Sequence, residues 1–113
     1  MTEALLADRE FSLPRAGDTP MGTQDIAGYL EELSGWSFQV ETNSIVKRYA
    51  FDDFATALAF TNQVGALAED HGHHPDIALG WGAASVSLTT HDIGGIHMAD
   101  LILAARIDRI QRS

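Results

Sequence analysis

The chain has 113 residues, with 7 Lys+Arg against 16 Asp+Glu, a net charge of −9 and 45% hydrophobic residues. That length suits one domain with one modest core, and the acidic balance argues against a nucleic-acid surface or docking on anionic lipid, both of which draw on Lys and Arg. Cysteine is absent, which removes disulfides, thiolate metal sites and a cysteine nucleophile, and no apolar run approaches the length of a membrane span.

At the N-terminus, Leu5-Leu6 has neither a basic start nor a sustained apolar region, so no signal peptide is expected and a cytoplasmic location is the default. Residues 1–22 mix charges with Pro14, Gly17, Pro20 and Gly22. They read as a flexible or loosely docked arm ahead of a domain spanning 23–113. A first helix is expected from Thr23, with Ile26, Ala27, Leu30 and Leu33 on one face and Gly35 as its stop. Trp36, Phe38 and Val40 alternate with polar residues, the pattern of a half-buried strand. Thr42-Asn43 is the expected turn, and Ser44–Phe51 the return strand.

Asp52 or Asp53 can cap a second helix. Its apolar face is Phe54, Ala57, Leu58, Thr61, Val64, Leu67 and Ala68; Gly72 ends it and Pro75 prevents its resumption. A second hairpin follows. With Gly82-Ala83 as a type II′ turn, outward counting pairs Trp81 with Ala84, Leu79 with Val86 and Ile77 with Leu88. The same count brings His91 back beside His74. A one-residue slip would turn every side chain to the other face.

Gly94-Gly95 breaks the chain, and a last helix is expected from about His97 to Ile110. Met98, Leu101, Ile102 and Ala105 form its face, widened by Leu103, Ile107 and Ile110. Arg106, Arg109 and Arg112 near its end favour the helix dipole. The expected fold is α+β: a four-stranded antiparallel sheet with three helices on one face, in the order α-β-β-α-β-β-α.

The chemistry concentrates between Glu69 and Asp100. Four of the five histidines lie between residues 71 and 91, and the fifth is His97. Imidazole titrates close to neutral pH and suits proton transfer or metal binding. His73 and His74 sit between a helix stop and a proline, so neither is an ordinary core-helix residue; an isolated pair would be two surface histidines. The predicted return of His91 makes three imidazoles converge. Asp100, in the first turn of the last helix, can orient one of them, or can be a simple N-terminal helix charge. Adjacent side chains seldom reach one ion, and the His-x-x-x-His helical spacing is absent, so acid/base chemistry is preferred to a metal site. Glu69 can hydrogen-bond a histidine or be a solvated helix-end charge. Trp81, at the far end of the hairpin, can stack on a planar ligand, fill an interface or pack within its own fold. No Ser-His-acid motif, phosphate-binding glycine loop or dinucleotide fingerprint is present.

The run Glu69-x-x-x-His73-His74-Pro75, with Trp81, His91 and Asp100 following, resembles the signature of the pterin-4a-carbinolamine dehydratases (4a-hydroxytetrahydrobiopterin dehydratases). The similarity extends from Leu33-Ser34-Gly35-Trp36 to Ala104-Ala105-Arg106-Ile107-Asp108. It implies three helices on a four-stranded antiparallel sheet, a homodimer or homotetramer, and no metal or organic cofactor. The implied reaction removes water from a 4a-hydroxytetrahydropterin to give the quinonoid dihydropterin, in tetrahydrobiopterin recycling. By this resemblance His73 and His91 are the acid/base pair, and His74 positions substrate or shares in proton transfer. Asp100 orients an imidazole, Glu69 and Pro75 support the loop, and Trp81 borders the site or an interface.

Two positions depart from the family pattern. Gly82-Ala83 stands where an Asn and a basic residue are common. His97 stands where Ser or Thr often caps the last helix, which is expected to free Asp100 or loosen the helix start. The chain also resembles dehydratase-like proteins implicated as chaperone-like Rubisco assembly factors in carboxysome-containing bacteria, for which a Rubisco subunit would be the partner. Another relative is a dimerisation cofactor of a homeodomain transcription factor, a protein-binding role without DNA contact.

Overall fold

A computed structural model of the chain describes residues 5–112; residues 1–4 of the expected arm, the Arg112 side chain and Ser113 lie outside them. The main elements are α1 (Thr23–Leu30), β1 (Ser37–Gln39), β2 (Ser44–Ala50), α2 (Phe54–His71), β3 (Asp76–Gly80), β4 (Ala83–Leu88) and α3 (Met98–Arg112). All pairings are antiparallel and the strand order is β1-β2-β4-β3. The expected α+β architecture is present: three helices and a four-stranded antiparallel sheet.

Alternation sets the sheet's two faces. Ile45 and Tyr49 of β2 and Ala84, Val86 and Leu88 of β4 are buried in the core. Ser85 and Ser87 fall on the opposite face. Lys47 shares the inner face with Ile45 and Tyr49, and its ammonium reaches the buried Asp108 carboxylate at 2.9 Å. The Trp36 indole and the Tyr49 hydroxyl donate to the same carboxylate, so the buried charge is fully engaged rather than stranded.

The helix signals behave as their chemistry dictates. Asp53 caps α2 by accepting from the Thr56 N–H at 2.8 Å. Gly72 ends α2 in the left-handed region, φ 66°, where a side chain would be strained. The buried face of α2 is Ala57, Phe60, Val64 and Ala68. Phe60 replaces the expected Phe54 and Leu58, which are exposed at 44% and 39%. The broad apolar surface of this helix allowed two stripes, and aromatic packing decides between them: Phe60 sits 4.6 Å from Tyr49 and 5.1 Å from Phe51. In the first hairpin Trp36 is buried but Val40 is 74% exposed, because β1 stops at Gln39 and Val40 enters the turn.

α3 is apolar almost all round: Leu101, Ile102, Leu103, Ala104, Ala105 and Ile107 are all buried. A helix of that kind needs cover on both sides. The sheet and α2 cover one side. A 3₁₀ turn at Leu6–Asp8 covers the other, with Leu6 at 0% exposure. The segment expected as a flexible or loosely docked arm is thus docked over residues 5–22. Arg106 and Arg109, expected to serve the helix dipole, reach across to it. Arg106 donates to the carbonyls of Ala7 at 3.1 Å and Arg9 at 2.7 Å, and Arg109 pairs with Asp8 at 2.8 Å.

The second hairpin turns one residue earlier than expected. Gly80 pairs with Ala83, Leu79 with Ala84 and Ile77 with Val86, so Trp81-Gly82 is the two-residue loop. The positive φ of 77° falls on Gly82, the second central position, as in a type II rather than a II′ turn. Each pairing moves by two residues, so the inner and outer faces are unchanged. Extended backwards, this register sets His73 against Thr90 and His74 against Thr89, not His74 against His91.

Candidate active site

α2 stops at Gly72 and β3 starts at Asp76, leaving His73, His74 and Pro75 in an extended link. From it the two adjacent imidazoles turn to different carboxylates. His73 Nε2 lies 2.6 Å from Asp100 Oδ1. His74 Nε2 pairs with Glu69 Oε2 across the end of α2. The first pair is sheltered, with side-chain exposures of 11% and 0%; the second is open, at 58% and 76%.

Asp100 is the hub. Its Oδ2 accepts from the Thr90 hydroxyl at 2.7 Å and from the His97 N–H at 2.9 Å, and Oδ1 faces His73. Facing an acceptor-only carboxylate, His73 donates from Nε2, and in the neutral ring that places the lone pair on Nδ1. The His97 N–H bond is half of a capping box on α3. The His97 ring caps the helix as well: its Nδ1 accepts from the Ala99 N–H at 3.0 Å. The expectation of a missing cap is therefore corrected: an imidazole nitrogen replaces the hydroxyl, and Asp100 is held rather than freed. His97 Nε2 in turn donates to Asp18 at 3.0 Å. The Arg15 N–H, and after it the His97 ring, hold the Asp18 carboxyl below its ordinary value.

His91 comes from the other side. β4 ends at Leu88, and a short 3₁₀ turn, His91–Ile93, closes on Gly94 with φ 74°. Thr90 and Gly95 exchange backbone hydrogen bonds at 2.9 and 3.3 Å across the base of this loop. Gly95 has no room for a side chain: a Cβ there would meet Pro20 Cβ at 2.8 Å. The loop so pinned holds Thr90 against Asp100 and leaves His91 exposed. A cleft of about 400 Å³ results, lined by His73, His74 and His91 together with Thr89, Thr90, Asp92, Gly72, Leu13 and Pro14.

The three imidazoles singled out in the sequence thus share one cleft, with Asp100 behind one and Glu69 beside another. Pro75 shapes the link outside the lining. Trp81 is elsewhere: it occupies the hairpin turn, at the opposite end of β3 from His73-His74, and is 75% exposed. His71 is also turned away. Its Nδ1 donates to the Leu67 carbonyl at 2.8 Å and its Nε2 accepts from Arg106 at 2.7 Å. Thr90, Leu13 and Pro14 were not anticipated. Among the described residues no group of three or more His, Cys, Asp or Glu side chains is disposed around a common metal position.

Residues 19–110 match the family described as Pterin 4 alpha carbinolamine dehydratase. The chain belongs to that family. A Syntrophotalea carbinolica relative, provisionally named a pterin-4-alpha-carbinolamine dehydratase, is 41% identical over 109 residues, covering 93% of this chain and 96% of its own. An Azoarcus relative with the same provisional name is 39% identical over 105 residues, covering 93% and 90%. Among solved structures, a transcriptional coactivator/pterin dehydratase from Brucella melitensis superposes with a TM-score of 0.77 at 27% identity, covering 81% of this chain and 98% of that one. A pterin dehydratase-like protein identified as a RuBisCO assembly factor in the alpha-carboxysome superposes with a TM-score of 0.60 at 31% identity, covering 70% and 92%. The dehydratase family segment begins at residue 19, so Leu13 and Pro14 lie outside it.

Among the described residues no helix is long and apolar enough to cross a membrane.

Proposed function

We propose that this protein dehydrates 4a-hydroxytetrahydrobiopterin to the quinonoid dihydropterin by histidine acid/base catalysis. The observation that carries the reading is the sheltered pair of His73 Nε2 and Asp100 at 2.6 Å, within a cleft that also holds His74 and His91. The reaction breaks the C4a–O bond, and the hydroxyl must take a proton to leave as water. A ring N–H must lose a proton as the C=N bond forms. One group gives a proton and one takes one, so two imidazoles suffice.

His73 enters with a free Nδ1 lone pair and suits the base. When it takes the proton it becomes an imidazolium, and Asp100 stabilises that charge at no cost in reorganisation. His91, exposed on the facing loop, suits the acid. His74, held by Glu69, orients the substrate or relays a proton to solvent. No cofactor is required for this exchange of protons. A homodimer or homotetramer in the cytoplasm is the form in which we expect it to act.

The test is the dehydration rate of the purified protein beside His73→Ala. A loss of roughly a hundredfold or more is expected, the usual scale for a missing acid or base. Folded wild-type protein without activity would remove the reading.

The likeness to the RuBisCO assembly factor supports a second reading, in which the chain acts as a chaperone-like factor with a Rubisco subunit as partner. The catalytic reading is preferred because a buried carboxylate with three donors, one of them a cleft imidazole, is an arrangement that protein docking does not call for. Co-purification with Rubisco subunits, from protein devoid of dehydration activity, would reverse the preference.

A further inference from the structure

We propose that the N-terminal segment Phe11–Pro14 is part of the binding site, with Leu13 and Pro14 forming the apolar wall on which the flat face of the pterin ring packs. This rests on the dehydratase reading and deepens it by naming what recognises the ring's face.

The side chains that His73, His74, His91, Thr89, Thr90 and Asp92 bring to the cleft are polar. Among the lining residues, apolar side chains come from Leu13 and Pro14 alone. A bicyclic heteroaromatic ring has a polar rim but apolar faces. Histidines, threonines and a carboxylate satisfy the rim; beyond an imidazole face, a site made of them alone offers no aliphatic surface to the faces of the ring. Small-molecule sites generally combine a few placed polar groups with apolar walls, and here that wall is built by the arm.

Leu13 fits the part. Leu6 of the same arm is committed to the core at 0% exposure, whereas Leu13 is 51% exposed, so packing within the fold does not account for it. It overhangs the link that carries the histidines: a Cβ on Gly72 would stand 3.9 Å from both of its methyls. The segment is also anchored on both sides. The Phe11 ring meets His71 edge-on at 4.8 Å and lies 6.5 Å from His73. The Arg106 guanidinium sits 5.9 Å from the Phe11 ring centre while it binds the arm's carbonyls and His71. Beyond Pro14, the Arg15 N–H donates to the Asp18 carboxylate at 2.9 Å, and Asp18 accepts from His97. A wall fixed in advance loses little freedom when a ligand arrives, so its contact contributes to affinity.

The experiment uses the full chain, oxidised biopterin as an unreactive ring probe, and 4a-hydroxytetrahydrobiopterin as substrate. Leu13→Ala should raise both the Kd for biopterin and the KM about fourfold or more, the scale of one methylene of lost burial. The fall in kcat should be smaller, and Leu13→Met should restore most of the affinity. Wild-type protein that binds and dehydrates, with Leu13→Ala equal to it in Kd and KM, overturns the wall and leaves the dehydratase reading standing. A loss confined to kcat in Leu13→Ala also overturns it, since that points to disturbed catalytic geometry. Folded wild-type protein that neither binds biopterin nor dehydrates the substrate overturns both.

Discussion

Replacing Asp100 by Asn tests the site at its hub. The carboxylate accepts three hydrogen bonds: from His73 Nε2 at 2.6 Å, the Thr90 hydroxyl at 2.7 Å and the His97 N–H at 2.9 Å. Asn has one acceptor oxygen and one NH₂. Two of the three donors, Thr90 and His97, converge on Oδ2, so the amide oxygen belongs there. The NH₂ then faces His73 Nε2, which must give up its proton and accept. The ring proton moves to Nδ1, and the lone pair available for catalysis is lost. Removing a general base typically slows a reaction by about 10²- to 10⁴-fold, and an Asp→Asn change that traps the wrong tautomer in a serine protease triad falls at the upper end, about 10⁴.

The fold should survive Asp100→Asn. Two charge-assisted bonds become neutral and the third reverses direction, a cost of about 2–4 kcal/mol against a typical domain stability of about 5–15 kcal/mol. Asp100→Ala is the poorer test, because each stranded buried donor costs about 1–3 kcal/mol. The assay is the dehydration rate at neutral pH, alongside nitrogen NMR of the imidazoles. Wild-type His73 should carry its proton on Nε2 and the variant on Nδ1. Folded Asp100→Asn protein with wild-type turnover would refute the reasoning. So would a His73 tautomer that is the same in both proteins.

Two further outcomes follow from the packing. Arg106→Gln should release the arm by removing its bonds to Ala7, Arg9 and His71; we expect about 1–3 kcal/mol lower stability in urea melts and faster amide exchange in residues 5–14, and unchanged exchange would contradict the anchoring. The Asp53 carboxyl is held below its ordinary value of 3.8 by the Thr56 hydroxyl and then the Thr56 N–H. A depressed folded value means its stabilisation is fully present above about 3.8 and is lost as pH falls through the lower folded value. Asp53→Asn, which keeps an acceptor at the cap, should therefore differ most from wild type near neutral pH and least in strong acid; a stability gap independent of pH would count against the assignment.

Much of the fold is written locally. Asp53 and Gly72 mark the ends of α2 because a carboxylate caps free N–H groups and glycine accepts a left-handed φ. The alternation through Ile77–Leu79 and Ala84–Leu88 marks the strands and their faces because side chains alternate across a pleat. His73 and His74 are visible as a link because Gly72 and Pro75 bracket them. These signals act over a few residues and need no knowledge of what lies across the core.

The remainder depends on distant partners. The hairpin turns at Trp81-Gly82 although Gly82-Ala83 offered equally good turn chemistry. In the structure Ala83 and Ala84 also pair with Ala50 and Tyr49 of β2, a cross-sheet register that the local turn cannot encode. Phe60 displaces Phe54 and Leu58 because Tyr49 and Phe51 stand opposite it. Thr90 reaches Asp100 from a loop that is closed at Gly95 against Pro20. The arm, whose mixed composition reads as flexible or loosely docked, lines the cleft because α3 is apolar on both sides and Arg106 gathers the carbonyls of Ala7 and Arg9. Sequence spacing set which imidazoles were available; tertiary packing set Asp100 against His73, left His91 exposed on the facing loop, and decided which apolar surface faced them.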